Sequence, residues 1–204
     1  MKLLSYLFLI IPVTAAAGAY EDGLRFLDAK AYSKAAQSFQ VAAASGSAAA
    51  ERQIGFLYYN GAGVTQDSSI AVAWFQRAAD HGDLESQVNL GKMYENGLSA
   101  PQDDAKAAHY FRLAAEQGHR PSQLRYGEMC YLGTGVSRDR AEAVKWWSLA
   151  TEPEDADSKR MRSMIRSARP KIPPDVVAEG ERRALQWKLA TAAKLPLTTR
   201  SSGP

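Results

Sequence analysis

The sequence predicts an all-α fold: a helix-pair repeat superhelix, or α-solenoid, with three full 36-residue repeats closed by caps. Three observations predict it. The stretch Leu90-Gly91-Lys92-Met93-Tyr94-Glu95-Asn96-Gly97 has two echoes, Ile54 to Gly61 and Tyr126 to Gly133, so that Gly55, Gly91 and Gly127 stand 36 residues apart. The same offset aligns Asp67, Asp103 and Asp139, then Trp74, Tyr110 and Trp146, then Phe75, Phe111 and Trp147, with alanines at 71, 107 and 143 and at 78, 114 and 150. A fixed period of roughly 20–50 residues is the signature of a repeat array. Third, the chain is rich in alanine with charges interspersed, a composition that suits helices.

Residues 1–19 have the pattern of a cleavable export signal. Lys2 supplies the positive end, Leu3 to Val13 an apolar run, and Ala15-Ala16-Ala17 and Ala17-Gly18-Ala19 two small-x-small cleavage sites. The run is short of the ~20 residues a membrane-spanning helix needs. Export is therefore expected, to the periplasm or the medium, with the mature chain starting at Gly18 or Tyr20. Residues 20–46 then form a degenerate first unit. Ala35, Phe39, Ala42, Ala43 and Gly46 precede their counterparts at 71, 75, 78, 79 and 82 by 36 residues, but the helix before them, over Tyr20 to Leu27, is not followed by a Gly-x-Gly-Val loop. Terminal repeats are commonly atypical because one side has no neighbour, so this unit is expected to be an N-terminal cap.

Three units follow, 47–82, 83–118 and 119–154, each a helix pair. In the second unit, Ser86, Leu90, Met93 and Tyr94 fall on one helical stripe, and Gly97 stops the helix. The connector in the first and third units is Gly61 to Val64 and Gly133 to Val136, whose glycines can adopt φ > 0 while the valine turns to the core. The second unit replaces it with Leu98-Ser99-Ala100-Pro101, a loop expected to be less constrained. Asp67, Asp103 and Asp139 stand where they can accept backbone N–H bonds at the start of each second helix. The second helices carry aromatics that fill space and alanines that let helices approach closely.

The run Ser86, Leu90-Gly91, Met93-Tyr94, Gly97, Asp103, Ala107, Tyr110-Phe111, Ala114-Ala115 and Gly118 resembles a Sel-1-like repeat, the variable-loop relative of the tetratricopeptide repeat. The resemblance covers Ser47 to Ala150 closely and Tyr20 to Gly46 loosely. It implies an α/α superhelix that serves as a scaffold or adaptor for other proteins, often in bacterial signalling, envelope regulation or host interaction. Some secreted relatives carry a disulfide in each repeat and have been linked to β-lactam-like ligands. The single cysteine here, Cys130, disfavours that branch.

Glu152-Pro153-Glu154-Asp155 ends the array. Residues 155–192 read as C-terminal capping helices: a basic one over Ala156 to Ala168, then, after Pro170 and Pro173-Pro174, one from Val176 to about Ala192 with Asp175 as its cap. Val177, Ala184, Leu185 and Leu189 are its apolar positions, expected to cover the last repeat. Residues 193–204 read as a disordered tail.

Formal net charge is +3 and places no demand for nucleic acid. Its distribution is uneven: Gly18 to Asp155 carries 13 Lys/Arg against 18 Asp/Glu, and Ala156 to Pro204 carries 11 against 4. The basic end could meet an acidic partner or an anionic membrane surface. Cys130 occupies the core slot of Tyr58 and Tyr94 and reads as a small buried apolar residue. No nucleophile elbow, zincin motif, phosphate loop or C-x-x-C motif occurs. His81 falls in the last turn of a second helix, His109 at an exposed slot and His119 in a linker. No catalytic residue, cofactor or metal is expected. An enzyme or binder acting on cell-wall or β-lactam-like molecules would need a convergent acid/base cluster, which is not evident.

The remaining candidate site is the face of the first helices turned away from the core, which lines the inner surface of such superhelices. It comprises Gln53, Phe56 and Asn60, then Asn89, Lys92 and Asn96, then Arg125, Glu128 and Leu132. Amides there can pair with a peptide backbone, Lys92 and Arg125 can hold a carboxylate, and Phe56 can supply an apolar anchor. A monomer that binds a protein or peptide partner is expected.

Overall fold

The structure is a computed structural model that describes residues 13–151, 159, 162, 165 and 171–194. Among the described residues there are only helices: α1 (Val13–Asp28), α2 (Tyr32–Ala44), α3 (Ala48–Asn60), α4 (Ser68–Asp80), α5 (Leu84–Asn96), α6 (Asp104–Glu116), α7 (Arg120–Leu132), α8 (Arg140–Ala150) and α9 (Pro174–Lys194). They form the expected helix-pair repeats. The chain divides into two compact units, with the boundary between Leu90 and Gly91 inside α5.

Each of the three full repeats is held by the same local devices, whereas α2 of the first pair follows Ala31, with no side-chain cap. Asp67 Oδ1 accepts from the N–H groups of Ser69 and Ile70, Asp103 Oδ1 from Lys106, and Asp139 Oδ1 from Glu142. These are the predicted N-caps. The backbone N–H of each of these aspartates also reaches back to the first helix, donating to the carbonyls of Tyr58, Tyr94 and Cys130 at 2.9–3.0 Å. That bond closes the loop inside each full repeat at the same length. It also explains the loop without glycine: Ser99 stands in the slot of Gly63 and Gly135 and takes the same left-handed conformation, φ 65° against 71° and 70°. The loop expected to be less constrained has its neighbours' geometry.

The first helices are capped too. Ser47 Oγ accepts from Ala50 N–H, Asp83 Oδ1 from Ser86, and His119 Nδ1 from Ser122. His119, expected in a linker, is thus the N-cap of α7. The repeated glycines of the first helices allow a close approach. A Cβ on Gly55 would lie 2.8 Å from the Phe75 ring, on Gly91 2.7 Å from Phe111, and on Gly127 2.6 Å from Trp147 Nε1. Gly23 does the same against Phe39 at 2.4 Å. The first unit therefore has the same helix-pair contact as the full repeats, with its glycine 32 rather than 36 residues ahead of the next.

In the first compact unit, Ala35, Phe39, Ala42, Ala50, Ile54 and Leu57 form the core, with Tyr20, Leu24, Tyr58, Val64 and Trp74 packed around it. In the second, Trp146 and Trp147 are both buried, as expected of core residues.

The C-terminal helix departs from expectation in phase. Helix α9 begins at Pro174, so Asp175 lies in its first turn and is not its cap. Its docked face is Gly180, Ala184 and Trp187. A Cβ on Gly180 would lie 2.5 Å from Val144 Cβ and 2.6 Å from the Ala141 carbonyl, Ala184 is buried, and Trp187 meets Trp146 edge-on at 6.0 Å. Leu185 and Leu189 point away, 55% and 63% exposed. The reason is separation: a glycine lets the α9 backbone approach α8 more closely than leucines would. The expected helix over 156–168 and the 193–204 tail lie largely outside the described residues, as does most of the candidate signal.

Candidate peptide-binding surface

The outward slots of the first helices separate into exposed and committed residues. In the first compact unit, α3 turns Ala50, Ile54 and Leu57 inward and leaves Asn60 exposed and Gln53 half-buried; Asn89 on α5 is half-buried as well. Phe56 is not a free anchor. It is half-buried, and its ring sits edge-on to the buried Phe75 at 5.0 Å between centroids. The helix phase that turns its Cβ outward does not stop a six-membered ring from leaning over the glycine at 55 onto the second helix.

In the second compact unit, Lys92 and Asn96 on α5 and Glu128 and Leu132 on α7 are exposed, Leu132 at 55%. Asn96 Nδ2 donates to the Lys92 carbonyl of its own helix at 2.8 Å. Arg125 is clasped between Glu95 and Glu128. Burial works to lower its pKa, and its bonds to the two carboxylates outweigh that and leave it raised. Arg125 therefore ties α7 to α5 and is engaged in a way that sequence spacing does not reveal. Among the described residues Lys92 has no carboxylate partner, so it is the cation this face offers.

One constellation escaped the sequence. Gln87 and Gln123, one repeat apart and 3% exposed, donate through Nε2 to the carbonyls of Ala79 and Ala115. Glu51 fills the same slot in the first full repeat and is fully buried. A carboxylate cannot donate, so it turns to other partners. Its Oε2 lies 2.7 Å from His81 Nδ1, and its Oε1 2.9 Å from Arg77 Nη2, close enough for charge pairing though not aligned as a hydrogen bond. Arg77 in turn stacks over Trp74 at 4.4 Å. The role of His81 is thus to face a buried acid, beyond any helix-end effect. The signal was available: a glutamate in register with two glutamines.

His119, His109 and Cys130 take no part in this cluster. His119 is half-buried, and burial with the nearby Lys92 charge lowers its pKa, which suits an Nδ1 that must stay unprotonated to accept the Ser122 N–H. His109 is exposed and edge-on to Tyr110. Cys130 is buried at 2% exposure, and burial pushes its thiol up to about 11. Among the described residues no group of three or more His, Cys, Asp or Glu side chains could hold a metal ion.

A family model described as Sel1 repeat matches residues 48–83, 84–119 and 120–152. These are the three units read from the sequence, each shifted by a single residue at its start. Among solved structures, c5321, a protective antigen present in uropathogenic Escherichia coli strains and displaying an SLR fold, is 25% identical at a TM-score of 0.67, over 84% of this chain and 38% of that one. A Sel1 repeat protein from Oxalobacter formigenes is 30% identical at a TM-score of 0.65, over 74% of this chain and 44% of that one. The chain thus spans less than half the length of either. A comparison with curated proteins gives no match.

Proposed function

The chain belongs to the Sel1 repeat family, and from that premise we propose that it is a non-catalytic scaffold of the bacterial envelope that binds a protein or peptide partner on the outward faces of its first helices. Repeats of this family generally mediate protein–protein interactions. The observation that carries the reading is the exposed set Lys92, Asn96, Glu128 and Leu132 on two first helices that the Arg125–Glu95 pair ties together. Lys92 offers charge to a carboxylate and Leu132 an apolar contact, the two ingredients of an anchored peptide. In the first compact unit Asn60 holds the slot of Asn96 and Leu132, and Gln53 and Asn89 hold that of Arg125. Lys2, the apolar run and the small residues up to Ala19 support export. No helix among the described residues is long and apolar enough to cross a membrane.

A photoreactive amino acid placed at Lys92 or Leu132 tests the surface, with His109 on α6 and Lys159 in the basic C-terminal segment as controls. The first-helix positions are expected to capture one and the same partner. Capture from His109 or Lys159 instead would move the docking site to a second helix or to the basic segment. Changing both Lys92 and Leu132 to Ala should weaken binding of the captured partner by about tenfold, ~1.4 kcal/mol, with the melting temperature unchanged. Export is tested by N-terminal sequencing of the protein from the envelope fraction, which should begin at Gly18 or Tyr20; a cytosolic protein starting at Met1 would overturn it.

A further inference from the structure

One slot of the first helices receives a guanidinium in two repeats and not in the third. It is the slot of Tyr59, Glu95 and Tyr131, which stand one repeat apart. Glu95 pairs with Arg125. The Tyr131 ring carries the Arg140 guanidinium at 5.5 Å and leans on Trp147. In the first full repeat both arginines are replaced: Asn89 holds the register of Arg125, and Ser68 that of Arg140. Phe56, not Tyr59, meets Phe75, which stands in the register of Trp147. Tyr59 is left 38% exposed, and among the described residues neither a cation nor a second ring lies over it.

The backbone around the two tyrosines is built alike. Gln66 Nε2 donates to the Tyr59 carbonyl at 2.9 Å, and Arg138 Nε, in the same register, to the Tyr131 carbonyl at 3.0 Å. The capping aspartates show the same contrast as the rings. Asp139 Oδ2 accepts from Arg183, and Asp103 Oδ2 lies 3.6 Å from Lys106. Asp67 caps α4 through Oδ1 and has no cation partner among the described residues. Its N–H bond to the Tyr58 carbonyl returns it to the end of α3 where Tyr59 sits. Residues 18–90 carry 5 Lys/Arg against 8 Asp/Glu, and Arg25, Arg52 and Arg77 are already paired with acids. The first full repeat thus keeps the acceptors and lacks the cation. A guanidinium is the group that stacks flat on an aromatic face while its N–H groups reach a carboxylate. We propose that Tyr59 and the Asp67 carboxylate receive an arginine side chain of a partner protein, as Tyr131 receives Arg140 within this chain. This site is independent of Lys92 and Leu132, which belong to the other compact unit.

The probe is the peptide acetyl-Gly-Ser-Arg-Ser-Gly-amide, titrated into the full isotope-labelled chain and followed by NMR. The Tyr59 ring and Asp67 amide signals are expected to shift saturably below about 10 mM peptide. The same peptide with citrulline, which keeps the shape and loses the charge, should bind about fivefold more weakly. Tyr59→Ala should abolish the shift at Asp67. Tyr59→Glu, which installs the residue of the second repeat, should retain it, and this separates loss of the site from loss of the fold. Asp67→Asn keeps an acceptor for the cap and should weaken binding by about threefold. The Lys92→Ala, Leu132→Ala double variant should bind the probe like the unaltered protein, so failure of this site and failure of the surface above are told apart. Equal shifts with citrulline, unchanged binding in Tyr59→Ala, or no saturable shift would each overturn the proposal. Tyr59 signals that move with protein concentration alone would place a second copy's arginine in the site, and would overturn a separate partner.

Discussion

Asp139 and Arg183 join the last repeat to the C-terminal helix. Asp139 Oδ1 caps α8 by accepting from Glu142 N–H at 2.9 Å, while Oδ2 accepts from Arg183 Nη1 at 2.8 Å across to α9. Asp67 and Asp103 cap in the same register, but Asp139 is where the cap is also a clasp to the C-terminal helix. Arg183 is bonded further to Glu179 and lies 3.5 Å from Glu142, and its bonds to Asp139 and Glu179 raise its pKa. Burial works to raise the pKa of Asp139, and the Glu142 N–H bond and Arg183 outweigh it and leave it lowered.

Asp139→Ala should therefore destabilise by more than a cap alone. Loss of a cap costs about 0.5–2 kcal/mol. The partly exposed ion pair adds no more than roughly 0.2–1 kcal/mol. Asp139→Asn should keep most of the cap and lose the pair, and Arg183→Gln should lose the pair alone. Because the carboxyl pKa is depressed on folding, its contribution is complete above the ordinary aspartate range and is lost as pH falls through the lowered folded value. Urea titrations of the three variants at neutral and acid pH check this, with Arg183→Gln expected to show the weaker effect.

His119 gives a second pH dependence of opposite chemistry and the same direction. Its pKa is lowered on folding, so between the folded value and the ordinary 6.5 the unfolded chain binds more protons. Stability from this cap is full above 6.5 and declines as pH falls below it. His119→Asn, an amide that caps without titrating, should flatten the slope of melting temperature against pH in that window. An unchanged slope would show that another group sets it.

Gly127→Ala should cost about 1–3 kcal/mol, the usual penalty of overpacking. The new methyl meets the buried Trp147 ring, whose Nε1 donates to the Leu124 carbonyl at 3.3 Å and cannot move freely. Gly23→Ala should show a penalty of the same order if Gly23 and Phe39 make the same helix-pair contact. Thermal melts of the two variants give the comparison. A neutral Gly23→Ala would show that the first pair is loosely held.

On α9, replacing both Leu185 and Leu189 with Ser should change stability by less than about 0.5 kcal/mol per site, since neither is covered in the described structure. Gly180→Val should lower the melting temperature by several degrees, because its side chain would enter Val144 and the Ala141 carbonyl. The reverse ranking would mean that α9 packs on its leucine face.

The sequence alone determined the helix pairs, their number and the N-caps at Asp67, Asp103 and Asp139. Those signals are local and repeated: a cap acts within three residues, a helical stripe within four, and a 36-residue period shows each of them again. It also identified Cys130, Trp146 and Trp147 as core, because a buried slot in one repeat is a buried slot in the next. The tertiary structure decided what a slot faces once its neighbours are in place. Ser99 takes a glycine's backbone conformation because the Asp103 N–H bond to Tyr94 fixes the loop length. Phe56 leans onto Phe75, and Arg125 is claimed by Glu95, 30 residues away in the chain. Glu51 finds His81 and Arg77 because a carboxylate cannot make the bond its glutamine counterparts make. The face of α9 that docks was decided the same way. Its sequence offers leucines on one side and Gly180 with Ala184 on another, and contact with α8 favours the side that permits the shorter separation.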